Sequence, residues 1–142
     1  MPRDRLFIDC NLPVYNLVMK SSWWANIMQQ TMIRAQTKLE FAYGLACKMA
    51  EVIGDKSVPT LELLGELFGY AELARAAIRT SEVEAYEYGN GVWFPNGPPL
   101  SQLRHFLPSW FPRVNEILRL IGSHNLLATP TESQLRDPAL GP

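Results

Sequence analysis

One periodic pattern constrains this chain more than any other feature. Between Trp24 and Ile53, apolar residues fall at Met28, Met32, Ala35, Leu39, Ala42, Ala46, Met49 and Ile53. The spacing alternates four and three without a break. In an α-helix that rhythm keeps every one of these side chains on a single face, the arrangement of a helix packed along its length in a bundle. Gly54 supplies the stop signal, because a glycine just past a helix takes the left-handed conformation that ends it.

A second stripe follows a short linker. Pro59 is placed to open a helix, and Leu64, Leu67, Ala71, Ala74, Ile78 and Ala85 carry the pattern on toward an end before Gly89. Ala71, Ala74 and Ala77 favour close approach of a partner helix. Gly65 and Gly69 each lower helix propensity by about 1 kcal/mol relative to alanine, and close packing is the expected compensation. Residues 89–99 hold three glycines and three prolines and read as a structured loop, pinned by Trp93 and Phe94. A third helical region spans about Leu100 to Ile121, with Leu103, Phe106, Leu107, Trp110, Val114, Ile117, Leu118 and Ile121 on one face. Pro108 and Pro112 predict a bend or split in it, and Gly122 its end.

The ends are less regular. Residues 1–12 read as an extended lead-in with a short apolar run at 5–9, followed by a short helix from about Pro13 to Lys20. Thr129-Pro130-Thr131-Glu132 reads as a capping box that starts a last short helix, and 136–142 as a loose tail. The expected fold is all-α: one helical domain over 1–142, an up-down bundle of two long helices and a broken third. Three such helices leave more apolar face than an isolated bundle hides, which points to further elements or to self-association.

Composition excludes several function classes. The net charge is −1 with both signs interspersed, so no basic stripe marks a nucleic-acid binder. No apolar run approaches the roughly 18 residues that would span a membrane. Cys10 and Cys47 lie far apart, with no Cys/His cluster for a metal, and two lone thiols fit a reducing cytoplasm. The start of the chain leads into no long apolar stretch of the kind a signal peptide carries.

No catalytic signature is present: neither GxSxG, HExxH, GxGxxG nor a phosphate-binding glycine loop. His105 and His124 each stand alone. Two features remain as candidate binding elements. Gln30, Arg34, Thr37 and Lys38 form a polar stripe on the first long helix, with Arg34 and Lys38 one turn apart and able to meet an anion; a solvated face gives the same spacing. Gly122-Ser123-His124-Asn125 is a small, polar stretch whose amides suit a phosphate or a ring edge; an ordinary helix cap gives the same sequence.

Several segments together resemble a known family. Gln29-Gln30-Thr31 through Arg34, then Lys38-Leu39-Glu40-Phe41 and Gly44-Leu45-Ala46, resemble the long helix of the 4-hydroxyphenylacetate 3-hydroxylase large-component family. Pro2-Arg3-Asp4-Arg5-Leu6-Phe7 resembles that family's exit from its middle β domain. Phe111-Pro112-Arg113, Leu120-Ile121-Gly122-Ser123 and Thr129-Pro130-Thr131-Glu132 resemble its carboxy-terminal signature.

The resemblance covers nearly the whole chain and implies an acyl-CoA dehydrogenase-like carboxy-terminal helical domain. It implies FAD as cofactor, reduced by a separate flavin reductase, and hydroxylation of a phenol. The implied partners are the amino-terminal and β domains of the same enzyme and further copies of the chain in a dimer or tetramer, with flavin contacts crossing between subunits. Carried over by position, flavin contacts fall on Gln30, Thr31 and Arg34 and on Ser123, His124, Asn125 and Leu126; His124 and Asn125 stand where the family more often has small residues. The family's catalytic residues belong to its amino-terminal domain, so no catalytic residue is named here. Hydroxylation with reduced flavin needs a closed, dry pocket, and one helical domain supplies only a wall of it. The alternatives are a non-enzymatic oligomerisation module and a domain of another acyl-CoA dehydrogenase-like flavoenzyme. Glu82 and Glu84 offer no motif for the carboxylate base such a dehydrogenase uses.

Overall fold

A computed structural model describes residues 2–21, 23–126 and 132–137. Helix α1 spans Leu12–Lys20, α2 Trp23–Ile53, α3 Val58–Val83, α4 Gly97–Leu126 and α5 Glu132–Leu135. A 3-10 turn at Arg3–Arg5 precedes them. Between α3 and α4 stands a hairpin of β1 (Tyr86–Gly89) and β2 (Val92–Phe94). Thr129, Pro130 and Thr131 of the expected capping box, and the tail beyond Asp137, lie outside the described residues.

The core is the three-way seam of α2, α3 and α4. Met28, Met32, Ala35, Leu39, Ala42 and Ala46 are buried as the periodicity requires, but at the end of α2 the buried position is Ala50, with Met49 and Ile53 only partly covered. The drift is expected where a strict 3.5-residue repeat is laid on a 3.6-residue helix. From α3 come Leu67, Ala71, Ala74 and Ile78, and from α4 Leu100, Leu103, Leu107, Val114, Ile117 and Ile121. Gly54 closes α2 at φ +75°, with the Asp55 amide donating to Ala50 O at 3.0 Å. Asp55 then organises the turn into α3: its carboxylate accepts from the Ser57 amide at 2.9 Å and the buried Thr60 hydroxyl at 2.6 Å.

Several expectations are corrected. Pro108 and Pro112 do not split the third helix, which runs unbroken from Gly97 to Leu126. Both prolines lie on its exposed side, where water satisfies the carbonyls they leave free, while Leu103, Leu107, Val114 and Ile117 hold the other side in the core. Gly122 does not end that helix either; it is buried inside it, and residues 123–126 form its last turn.

Residues 89–99 are not a loop but a hairpin turn, β2 and the start of α4. Asn90 (φ +53°) and Gly91 (φ +75°) take the two left-handed positions that a tight Asn-Gly hairpin needs, so the fold carries a small sheet beside its helices. Trp93 does not pin this segment, since the residue is 62% exposed. Finally, a Cβ at Gly65 or Gly69 would meet nothing within 4 Å, so among the described residues no close packing compensates these glycines.

α2 and α4 run parallel and pack directly on each other, with α3 antiparallel to both. The Trp24 ring at the start of α2 lies where a Cβ on Gly97 would sit, and Arg104 reaches Met28 Sδ at 4.0 Å. Gln29 at the same end donates to Glu82 near the end of α3. The hairpin is tied to this end as well: the Asn96 amide donates to Ser81 O at 2.9 Å, and the buried Ser81 hydroxyl returns a bond to Asn96 O at 2.6 Å.

Candidate cofactor-facing surface

The α2 stripe is an open helix face. Gln30, Thr31, Arg34, Thr37 and Lys38 are all exposed on the side away from the seam. The threonine hydroxyls fold back onto their own helix, Thr31 to Ile27 O and Thr37 to Ile33 O at 3.0 Å each. Among the described residues, neither Arg34 nor Lys38 has a carboxylate partner, whereas Lys48, Arg75, Arg79, Arg113 and Arg136 are all paired. Two uncompensated cations one helical turn apart on one face can take a dianion such as a diphosphate.

The neighbouring groove between α2 and α3, about 350 Å³, is lined by Ile33, Gln36, Arg75, Ile78, Arg79 and Glu82. Its charges cancel internally. Arg75 bonds Glu40 at 2.8 Å and Glu72 at 3.0 Å, and the Arg75 hydrogen bond holds the Glu40 carboxyl below the usual carboxylate range. That groove therefore offers an anion little, whereas Arg34 and Lys38 on the outer face of α2 are without a carboxylate partner among the described residues, as are Lys56 and, on α4, Arg104 and Arg119.

Ser123, His124, Asn125 and Leu126 form the last turn of α4. In helical geometry the backbone N–H groups point back to carbonyls one turn earlier, so the amide cradle expected of a turn does not form there. A helix end of this polarity presents carbonyls and a partial negative charge; it suits a hydroxyl or ring N–H donor and disfavours phosphate. α2 and α4 are parallel, and Arg104 stands level with Met28. At 1.5 Å per residue, Ser123 then lies roughly 20–25 Å along the axis from the level of Gln30 to Arg34. The structure brings Gln30, Thr31 and Arg34 together and places Ser123–Leu126 near the opposite end.

A third cluster was not singled out in the sequence. Arg113 on α4 donates through Nε and Nη2 to the two carboxylate oxygens of Glu66 on α3, both at 2.9 Å. The Tyr70 hydroxyl adds a bond to Glu66 at 2.6 Å. The Arg113 bonds pull the Glu66 carboxyl below its usual range; burial, then Glu66, pushes Tyr70 up to about 12. Tyr70 stacks on Trp110 (4.8 Å, 17°), and Trp110 on Phe106 (5.9 Å, 13°). These rings wall an apolar groove of about 340 Å³ with Leu73, Ala77, Pro99, Gln102 and Leu103. Glu66 and Tyr70 stand one turn apart and were pairable by eye, but Arg113 and Trp110 lie on another helix, and no local pattern links them.

Residues 14–142 match the family model for the 4-hydroxyphenylacetate 3-hydroxylase C terminal. The chain belongs to this family. It is 33% identical over 144 residues to the 4-hydroxyphenylacetate 3-monooxygenase oxygenase component of Thermus thermophilus, a match that covers all of this chain and 30% of that protein. It is 30% identical over 135 residues to a probable 4-hydroxyphenylacetate 3-monooxygenase of Bacillus subtilis, covering 94% of this chain and 28% of that protein. A crystal structure of a 4-hydroxyphenylacetate 3-monooxygenase oxygenase component complexed with FAD and 4-hydroxyphenylacetate superposes with TM-score 0.81 at 29% identity, over 97% of this chain and 29% of that one. The chain thus spans about 30% of the length of the curated family members it matches. Like them it carries a helical carboxy-terminal domain, and no helix among its described residues is long and apolar enough to cross a membrane.

Proposed function

We propose that this chain is the FAD-contacting and self-associating domain of a two-component flavin-dependent monooxygenase that hydroxylates a phenolic compound with reduced FAD and O2. The observation that carries this reading is the superposition, at TM-score 0.81, on a family member holding FAD and 4-hydroxyphenylacetate. The uncompensated Arg34 and Lys38 agree with it, because a flavin dinucleotide carries a diphosphate. In this reading Arg34 and Lys38 neutralise that diphosphate, and Gln30 and Thr31 offer an amide and a hydroxyl beside it. When bound, reduced FAD supplies the activation of O2 and the oxygen transfer. The helical domain contributes binding, orientation and one wall against water; the reductase that delivers reduced flavin and the remaining walls come from other polypeptide.

The two expected contact segments lie at different ends of the bundle, and in this reading one flavin is shared between copies of the chain. The free thiols Cys10 and Cys47 suit a reducing, cytoplasmic setting. The second reading, an association module without a flavin, draws on the same open helix faces: exposed Phe41 on α2, exposed Phe68 on α3, and glycines 44, 65 and 69 with free space around them.

The deciding experiment mixes the chain with the amino-terminal remainder of a family member and measures melting with and without FAD. Ligand at one hundred times its dissociation constant stabilises a protein that binds it only when folded by about 2.7 kcal/mol. An FAD-dependent rise in melting temperature that Arg34→Ala reduces supports the monooxygenase reading; no rise in the mixture favours the association module.

A further inference from the structure

We draw no further inference here: the strongest candidate, the apolar groove of about 340 Å³ between α3 and α4 walled by Tyr70, Phe106 and Trp110, supports none, because nothing in the structure shows what covers it.

Discussion

Truncating Leu39 is the most direct test of the bundle. Leu39 sits midway along α2, is 0% exposed, and has only alanines, Ala35 and Ala42, as buried neighbours one turn to either side on its own helix. Its side chain therefore fills space that α3 and α4 leave between them, and small residues nearby cannot swing in to replace it. Leucine-to-alanine changes cost about 2–5 kcal/mol, rising with the cavity that remains. A fully closed site with little capacity to collapse belongs in the upper half, about 3–4 kcal/mol.

A domain of this length has a total stability of about 7–15 kcal/mol, so Leu39→Ala remains folded. Its melting temperature falls by roughly 10 °C at about 3 °C per kcal/mol. Urea denaturation followed by circular dichroism gives the value directly, with an unchanged m showing that the denatured state is not the cause. Protein concentration must be held constant, because association adds to apparent stability. Val52→Ala, on the same helix but 84% exposed, is the control and moves stability by less than about 0.5 kcal/mol. A loss below about 1 kcal/mol at Leu39, well under the range for a buried leucine, or an equal loss at Val52, refutes the assignment of the packing face. Leu39→Asp places a charge in the same closed site and abolishes folding.

Glu66 has a depressed folded-state pKa, so its ionised form stabilises the fold above the unfolded value of about 4.3, and that contribution disappears as pH falls through the lower folded pKa; acid titration of stability in Glu66→Gln should lack this component, and an unchanged profile refutes it. Arg34→Ala in the reconstituted enzyme should weaken FAD binding about tenfold, as loss of one charge-assisted bond does, with helicity intact; unchanged affinity removes Arg34 from the site. Gly97→Ala drives a methyl group into the Trp24 ring and should cost about 1–3 kcal/mol by urea denaturation. Gly65→Ala and Gly69→Ala meet open space and should each raise stability by about 0.5–1 kcal/mol; a loss instead shows that this face is occupied in the assembled protein, and size-exclusion chromatography of the variants identifies the change.

The fold was legible where burial and local geometry agree. The uninterrupted stripe of α2 located its buried face from Met28 to Ala46, and Gly54 and Pro59 located its end and the start of α3. Legibility failed where a residue's meaning depends on which side of a helix it occupies. Pro108 and Pro112 read as breaks, yet on an exposed side they interrupt only hydrogen bonds that water replaces. Gly122 read as a cap, yet it is a small residue buried within a helix. The hairpin was readable in principle: Asn90-Gly91 demands two left-handed residues in succession, a strong local signal masked by the surrounding prolines and glycines. The Glu66–Arg113 clamp was not readable, because it joins helices through a pairing that only the packed bundle specifies.

The candidate site shows the same division, with a sharper consequence. The free charge of Arg34 and Lys38 is a local property of one helix and survives in the fold as the spacing implies. The amide cradle at Ser123–Leu126 required a change of backbone direction, and a continuous α4 replaces it with the carbonyl end of a helix. Parallel packing of α2 and α4 then sets these two segments roughly 20–25 Å apart along the bundle. Within one copy the two segments differ in electrostatic character, the first suited to an anion and the second to a hydrogen-bond donor. A dinucleotide has both kinds of group. If both segments contact one flavin, as proposed, assembly is a condition of cofactor binding: FAD affinity of the reconstituted enzyme should then fall steeply below the concentration at which copies associate, and a concentration-independent affinity would show that the α4 end takes no part in the site.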